Sequence, residues 1–153
     1  GARPRLIHAP GLVKDEIVCA ALVKDPQVSD TLELAGQADI ALVGIGVLEP
    51  DATLLSSSNT LTAEEVTDLK RLGAVGDIAL QFFDERGAKV DHPINRRIVG
   101  ADIETIKTIG RVIAVAGGAK KVRAIRAALL GGLVDVLVTD CCSAEALLAV
   151  SGS

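Results

Sequence analysis

The sequence contains no tryptophan, no tyrosine and no methionine, and its aromatic residues are the two phenylalanines Phe82 and Phe83. Aromatic rings supply large apolar faces on which a ligand ring can stack. Their scarcity excludes a neutral-sugar site built on stacking, so a sugar ligand would have to be held by polar groups and by charge. That requirement favours a ligand with a phosphate group.

Cysteine and histidine are also scarce. Three cysteines, of which Cys141 and Cys142 are adjacent, do not make a disulfide framework, and a reduced, cytoplasmic setting fits them best. No CxxC or HxH spacing occurs, so neither a metal site nor a cofactor is expected. Cys141 could be a nucleophile near a helix start, but a nucleophile needs a base. The two histidines, His8 and His92, lie in unrelated segments, so we assign no catalytic residue.

Charge and length narrow the class of protein further. The formal net charge of −4 argues against direct binding to DNA or to a membrane surface, because phosphate backbones are bound by basic faces. No run of about 18 apolar residues predicts a membrane span. The 153 residues, of which 49% are hydrophobic, are typical of one domain with an ample core.

The chain alternates apolar runs with amphipathic stretches. The strand candidates are residues 5–8, 38–46, 75–83, 112–116 and 134–139, and the helix candidates are residues 14–24, 27–37, 62–72, 119–130 and 143–150. Thr62 and Glu65 form a capping-box pattern at the start of one helix. This alternation predicts an α/β domain whose mainly parallel sheet is covered by helices on both sides. A β-hairpin over residues 83–90, with Gly87 as its left-handed residue, is inserted into it.

Ligands of open α/β sheets bind at the carboxyl ends of the strands. In this sequence the rule selects four places, namely Gly44 to Gly46, Asp77, Gly117-Gly118 and Asp140.

The strongest of these signals is the step from strand to helix at Gly117-Gly118. Unpaired N–H groups at a helix start bind anions, and glycines let a phosphate approach the backbone. Lys120 and Lys121 follow in the first turn, where cations oppose the helix dipole unless an anion is bound. The alternative is a tight turn followed by solvated charges. The pattern is neither a P-loop nor GxGxxG, so it does not indicate a nucleotide.

Two further segments carry polar groups. Asp77, at one end of a strand, could accept sugar hydroxyls, act as a general base or cap a local turn. The loop after Gly46 contains Ser56, Ser57 and Ser58, whose hydroxyl groups suit a sugar or a phosphate. The alternative for this loop is a mobile surface segment.

Several motifs occur together in a specific order. They are GIG at 44–46, LTAEEVTDLKRLGAVGDI at 61–78, AGGAKKVRAIRAAL at 116–129 and LVTD at 137–140. With this order and spacing, nearly the whole chain resembles the C-terminal effector domain of SorC-family transcription regulators. The family commonly has an acidic residue after LVTD, where this chain has Cys141, and that departure weakens any role for position 141.

The resemblance implies a Rossmann-like three-layer α/β/α sandwich, similar to the ribose-5-phosphate isomerase and glucosamine-6-phosphate deaminase folds. It implies a phosphorylated sugar as effector, with Lys121 contacting the phosphate, Asp77 accepting hydroxyls, and Gly44, Gly46, Gly117, Gly118 and Ser56–Ser58 near the ligand. Homo-oligomers, either dimers or tetramers, would bind operator DNA through an N-terminal helix-turn-helix domain. That domain and the first part of the family's effector domain are absent from this sequence, so residues 1–153 are expected to be one partial domain.

An enzyme of the same fold group is the alternative. Asp77 as a base and Lys121 as an electrostatic stabiliser could serve the isomerisation or deamination of a sugar phosphate. The sequence offers no second well-placed carboxylate or histidine, which favours a sensor. A fragment that serves only for assembly, without ligand affinity, is a third possibility.

Overall fold

A parallel three-stranded sheet forms the centre of the molecule. The computed structural model of the chain describes residues 3–48 and 61–151. Strands β1 (Ala41–Gly44), β4 (Val112–Val115) and β5 (Val136–Val138) pair in the order β1-β4-β5. Their register sets Gly44 opposite Val115, and Val115 opposite Val138. The apolar runs at 38–46, 112–116 and 134–139 therefore do form parallel strands, each shorter than its run.

Two other strand predictions are wrong. Residues 5–8 form no strand, and the pairing nearest to them is an isolated bridge between Leu12 and Ile98. The stretch 75–83 is not one strand but an antiparallel pair, β2 (Gly76–Ile78) and β3 (Gln81–Phe83). The chain reverses at Ala79 and Leu80, and neither residue is a turn former, so the sequence gives no warning of the reversal.

The helices begin and end close to the predicted residues. They are α1 (Glu16–Lys24), α2 (Pro26–Gly36), α3 (Ala63–Arg71), α4 (Ile103–Thr108), α5 (Val122–Leu130) and α6 (Cys141–Ser151), with 3-10 turns at Pro93–Arg97 and Ala119–Lys121. The capping box of α3 is confirmed, because the Glu65 N–H donates to Thr62 Oγ1 at 3.2 Å and the Thr62 N–H donates to Glu65 Oε2 at 2.9 Å. The short α4, capped by Asp102, was not predicted.

The inserted hairpin is confirmed. Phe83 and Lys89 form an antiparallel bridge, and Gly87 has the left-handed φ of 71°. Gly87 also lies against the end of α5, where a Cβ atom would stand 2.6 Å from the Cα of Gly131. A side chain at position 87 would therefore push the hairpin away from α5.

The main core lies on one face of the parallel sheet. Ala114 of β4 and Ile125 of α5 are completely buried in it. The opposite face carries exposed apolar side chains, with Leu42 at 73%, Val115 at 52% and Val138 at 52% exposure. Within the described residues this face is therefore open, whereas the sequence predicted helices on both sides of the sheet. Strand–helix alternation and the parallel sheet confirm the Rossmann-like α/β class. Of the helices described, none is long and apolar enough to cross a bilayer.

Candidate functional site

The four places selected at the strand ends meet at one end of the sheet. The Gly46 N–H donates to the Asp77 carbonyl at 2.9 Å, and the Asp77 N–H donates to the Gly46 carbonyl at 3.2 Å. The Gly118 N–H donates to the Asp140 carboxylate at 2.8 Å. Parallel strands bring their carboxyl ends to the same edge, which explains why the residues that follow β1, β4 and β5 converge here. Asp77 lies in the antiparallel pair β2–β3 and joins them through its bridge with Gly46.

Lys121 connects these places. It ends the 3-10 turn before α5, and its Nζ atom donates to the carbonyl oxygen of Ile45 at 2.8 Å. The contact crosses from the helix start to the end of β1 and fixes the ammonium group at the site. A lysine ammonium has three donors, and the Ile45 carbonyl takes one of them.

The neighbouring basic side chains face elsewhere. Arg123 forms an ion pair with Glu85 of the inserted hairpin and donates to it from Nε at 2.9 Å. Lys120 and Arg123 line a separate cleft with Lys70. Lys121 is therefore the cation of this basic stretch that lines the cleft at the strand ends.

Asp77 is the buried acid of the site, with only 6% of its surface exposed. Its Oδ2 atom accepts the Leu80 N–H at 3.3 Å, whereas Oδ1 has no hydrogen-bond partner among the described residues. Burial raises the pKa of Asp77 to about 6, and the Leu80 N–H and the positive charge of Lys121 oppose that rise. A turn cap and a free acceptor thus occur in one side chain, on different oxygens.

Gly46 makes room for this carboxylate. A Cβ atom at position 46 would lie 2.0 Å from Asp77 Oδ1. Gly44, in contrast, has nothing within 4 Å of such an atom. The structure therefore explains a glycine at position 46 through Asp77, and it places Gly44 on the open face of the sheet.

The two glycines after β4 enclose a carboxylate from the chain itself. The Gly118 N–H donates both to Asp140 Oδ2 and to Ser143 Oγ, each at 2.8 Å. A Cβ atom on Gly117 would lie 2.2 Å from Asp140 Oδ2. The N–H that the sequence offered to a phosphate is thus occupied by Asp140, as the tight-turn interpretation requires.

Asp140 itself is held as an anion. The backbone N–H of Ser143, the Ser143 hydroxyl and the Gly118 N–H together lower the pKa of Asp140 to about 2. The Ser143 N–H donates to Asp140 Oδ1 at 2.9 Å, and its hydroxyl donates to Oδ2 at 2.7 Å. These bonds tie the start of α6 to the end of β4.

A shallow cleft of about 360 Å³ lies between these elements. Its lining residues are Val115, Ala116, Gly117, Lys121, Val138, Thr139 and Asp140. Gly46, Asp77 and Gly118 are not among them; of the predicted site residues described, the structure brings Gly117 and Lys121 to the cleft wall. Sequence reasoning missed Thr139, whose Oγ1 atom is buried without a hydrogen-bond partner among the described residues. Its position at the end of β5 was the signal, because the carboxyl-end rule applies to Thr139 as well as to Asp140. Ser56, Ser57 and Ser58 lie outside the described residues.

The residues that could suggest other chemistry have structural roles or stand apart. His92 is buried, and its Nδ1 atom accepts the Ile94 N–H at 3.1 Å. Cys19 is buried against the Ile98 carbonyl, and Cys141 is exposed at the start of α6. Within residues 3–48 and 61–151, no three His, Cys, Asp or Glu side chains are grouped so that they could hold a metal ion.

Comparison with known proteins shows the family to which the chain belongs. A family model described as "Putative sugar-binding domain" matches residues 1–149. The transcriptional regulator LsrR of Enterobacter sp. (strain 638) is 36% identical over 150 residues, which cover 96% of this chain and 46% of that protein. The chain thus spans about half the length of the curated relatives that it matches.

Solved structures extend the likeness to the backbone. A DeoR family transcriptional regulator from Listeria monocytogenes superposes with a TM-score of 0.88 at 33% identity, over 92% of this chain and 57% of that one. The full-length sorbitol operon regulator SorC from Klebsiella pneumoniae superposes with a TM-score of 0.83 at 25% identity, over 91% of this chain and 45% of that one.

Proposed function

The chain belongs to the sugar-binding domain family of SorC-type transcriptional regulators, and from that premise we propose that its strand-end cleft binds a phosphorylated sugar as an effector. The bound sugar is recognised and released unchanged. The relatives named above are transcriptional regulators and not enzymes. The alternative of a sugar-phosphate isomerase or deaminase is therefore not favoured.

The observation that carries the proposal is the pairing of a fixed cation with an unpartnered buried acceptor. The Ile45 carbonyl holds the Lys121 ammonium at 2.8 Å, and Asp77 Oδ1 is buried with no hydrogen-bond partner in residues 3–48 and 61–151. The two groups are close enough for the charge of Lys121 to lower the pKa of Asp77. A buried polar atom without a partner is costly, so a ligand hydroxyl that donates to Oδ1 gains binding energy there.

The phosphate end of the ligand is assigned to Lys121. Hydrogen bonds in which one partner is charged are stronger than those between neutral groups, and a lysine ammonium binds phosphate as a point charge. Because the Gly118 N–H already donates to Asp140, Gly118 shapes the turn and does not itself contact the phosphate. Thr139 lines the cleft beside Lys121, and its buried hydroxyl, which has no partner in the part of the chain that the structure describes, is a further donor or acceptor for the ligand.

The wider role follows from the family and extends beyond this chain. We place the helix-turn-helix domain that contacts operator DNA, and the remaining phosphate-binding residues, in parts of a longer cytoplasmic regulator. Effector binding would alter DNA affinity and the arrangement of subunits in a dimer or tetramer. The net charge of −4 supports this division, because an acidic domain is a poor partner for DNA.

A thermal unfolding screen tests the proposal. Far-UV circular dichroism is the suitable signal for a chain without tryptophan or tyrosine. The compounds are ribose 5-phosphate, fructose 6-phosphate, their unphosphorylated sugars and inorganic phosphate. A ligand at about 100 times its Kd stabilises the native state by about 2.7 kcal/mol, which raises the melting temperature by several degrees. A shift with a sugar phosphate that its parent sugar does not produce supports an effector site.

Two lysine variants distinguish the loss of a contact at the cleft from the loss of positive charge in general. Lys121→Ala is expected to weaken binding of the stabilising sugar phosphate by at least tenfold, because it removes a charge-assisted hydrogen bond. Lys107→Ala, an exposed lysine in the last turn of α4, removes the same charge away from the cleft and is expected to bind as the unaltered chain does. Equal affinities in both variants would remove Lys121 from the site. Formation of product from either sugar phosphate would instead support the enzyme.

A further inference from the structure

The turn that joins β2 to β3 has an unusual backbone. Ala79 has a φ of 50° and Leu80 a φ of 66°, both in the left-handed region. Two-residue hairpin turns of this shape strongly prefer asparagine, aspartate and glycine, because other side chains crowd the backbone there. An alanine and a leucine at these positions are therefore held by their surroundings, and such strain is concentrated at functional sites.

The side chain of Leu80 anchors this turn. It packs against the second core cluster, in which Leu12 is another partly buried member. A Cβ atom on Gly11 would lie 2.9 Å from Leu80 Cδ1, so the N-terminal segment passes close over the leucine. The turn is thus clamped between the β2–β3 ladder on one side and the segment around Gly11 on the other.

The same turn decides how the Asp77 carboxylate is used. The Leu80 N–H donates to Asp77 Oδ2 at 3.3 Å, while Oδ1 stays buried without a partner among the described residues. We infer that Leu80 is a positioning residue, whose anchored left-handed backbone ties one oxygen of Asp77 and leaves the other as the acceptor that reads a hydroxyl group of the ligand. The part that concerns the ligand rests on the proposed function, whereas the part that concerns Asp77 does not.

This role explains why the turn is not an ordinary Asn-Gly pair. Glycine at position 80 would relax the backbone but would remove the side chain that clamps it. An unclamped turn lets the Leu80 N–H swing away from Oδ2, so both carboxylate oxygens become free to rotate. Selectivity for a hydroxyl at one defined place would then be lost, while attraction of Lys121 for a phosphate would be unchanged.

A nuclear magnetic resonance titration tests the positioning without any ligand. In the unaltered chain, the chemical shift of the residue 80 amide proton should change as Asp77 ionises, with a midpoint near the pKa of about 6. Leu80→Ala keeps the amide but removes the anchor, and we expect it to reduce that movement at least twofold. Val66→Ala truncates another buried side chain of the same cluster, on α3, and should leave the movement unchanged. The inference is overturned if the chemical shift of the residue 80 amide proton does not follow the ionisation of Asp77. It is also overturned if Leu80→Ala shows the full change in chemical shift.

A binding comparison then joins the inference to the effector. Leu80→Ala should weaken the binding of ribose 5-phosphate or fructose 6-phosphate, whichever stabilises the unaltered chain. The expected loss of affinity is about tenfold, which is the factor that 1.4 kcal/mol represents. The affinity of Leu80→Ala for inorganic phosphate should stay within twofold. A parallel loss of both affinities would show general damage to the site and contradict the positioning role. If neither sugar phosphate binds the unaltered chain while the amide titration behaves as expected, the proposed function fails and the positioning of Asp77 stands.

Discussion

Asp77→Asn removes a buried carboxyl group whose ionisation opposes folding. In the folded chain burial raises the pKa of Asp77 from 3.8 to about 6. Because the folded pKa is the higher one, the folded state holds the proton more tightly, and the stabilisation is complete below about pH 4. It is lost as the pH rises through 6. A rise of this size corresponds to about 3 kcal/mol of unfolding free energy.

Asp77→Asn should abolish the loss of stability that accompanies the ionisation of Asp77. Asparagine has the shape of aspartate, and its side-chain oxygen can still accept the Leu80 N–H, so the turn is retained. The stability of Asp77→Asn relative to the unaltered chain should therefore increase by about 3 kcal/mol between pH 4 and pH 7. Urea unfolding followed by far-UV circular dichroism at four pH values measures the difference directly.

A control and a refuting result complete the experiment. Asp91→Asn changes an exposed aspartate and should follow the unaltered chain at every pH. If the unfolding free energy of Asp77→Asn changed with pH in parallel with that of the unaltered chain from pH 4 to pH 7, Asp77 would not be desolvated as described. The same variant should lose affinity for the sugar phosphate, because an amide cannot replace a carboxylate as the acceptor at both oxygens. Gain of stability with loss of binding is the expected signature of a ligand-reading residue.

The remaining predictions concern three other positions. Asp140→Asn should destabilise the chain above pH 4 and not near pH 2, because the pKa of Asp140 is lowered to about 2 and its stabilising effect is lost only as the pH falls through that value; equal effects at both pH values would contradict it. Gly46→Ala should cost about 1–3 kcal/mol in urea unfolding and weaken effector binding, since its Cβ atom would stand 2.0 Å from Asp77 Oδ1. Leu42→Lys, on the open sheet face at 73% exposure, should change stability by less than about 0.5 kcal/mol and reduce self-association in analytical ultracentrifugation.

Much of the fold was readable because its signals are local. Continuous apolar runs mark β1, β4 and β5, and the Thr62–Glu65 capping box marks the start of α3. The reversal at Ala79-Leu80 was not readable, because the residues that force it are packed on it from elsewhere in the chain. The prediction of a strand at residues 5–8 failed for a related reason. A strand needs a partner, and among the described residues nothing pairs with residues 5–8; the nearest pairing is the single bridge at Leu12.

The sequence predicts the positions of the site residues better than it predicts their contacts. The carboxyl-end rule locates the glycines and the adjoining Lys121, because it depends only on the order of strands and helices. Asp77 lies within the antiparallel strand β2 and reaches the site through its bridge with Gly46, which the rule does not foresee. The rule also does not say what each group contacts. The Gly118 N–H is taken by Asp140 and Ser143, which lie 22 and 25 residues further along the chain. Only the folded structure could change Gly118 from an expected phosphate donor into part of a turn.

The two aspartates of the site illustrate how environment assigns a role that sequence leaves open. Asp140 comes after β5 and Asp77 is the central residue of β2, and nothing in the residue type separates them. Asp140 accepts hydrogen bonds at both oxygens and stays ionised, so it is satisfied before any ligand arrives. Asp77 has one oxygen tied and one buried oxygen without a described partner, and its pKa of about 6 leaves it poised between two protonation states. A group that lacks a partner gains the most from a ligand, so the specificity of this domain for its sugar should be determined at Asp77 and not at Asp140.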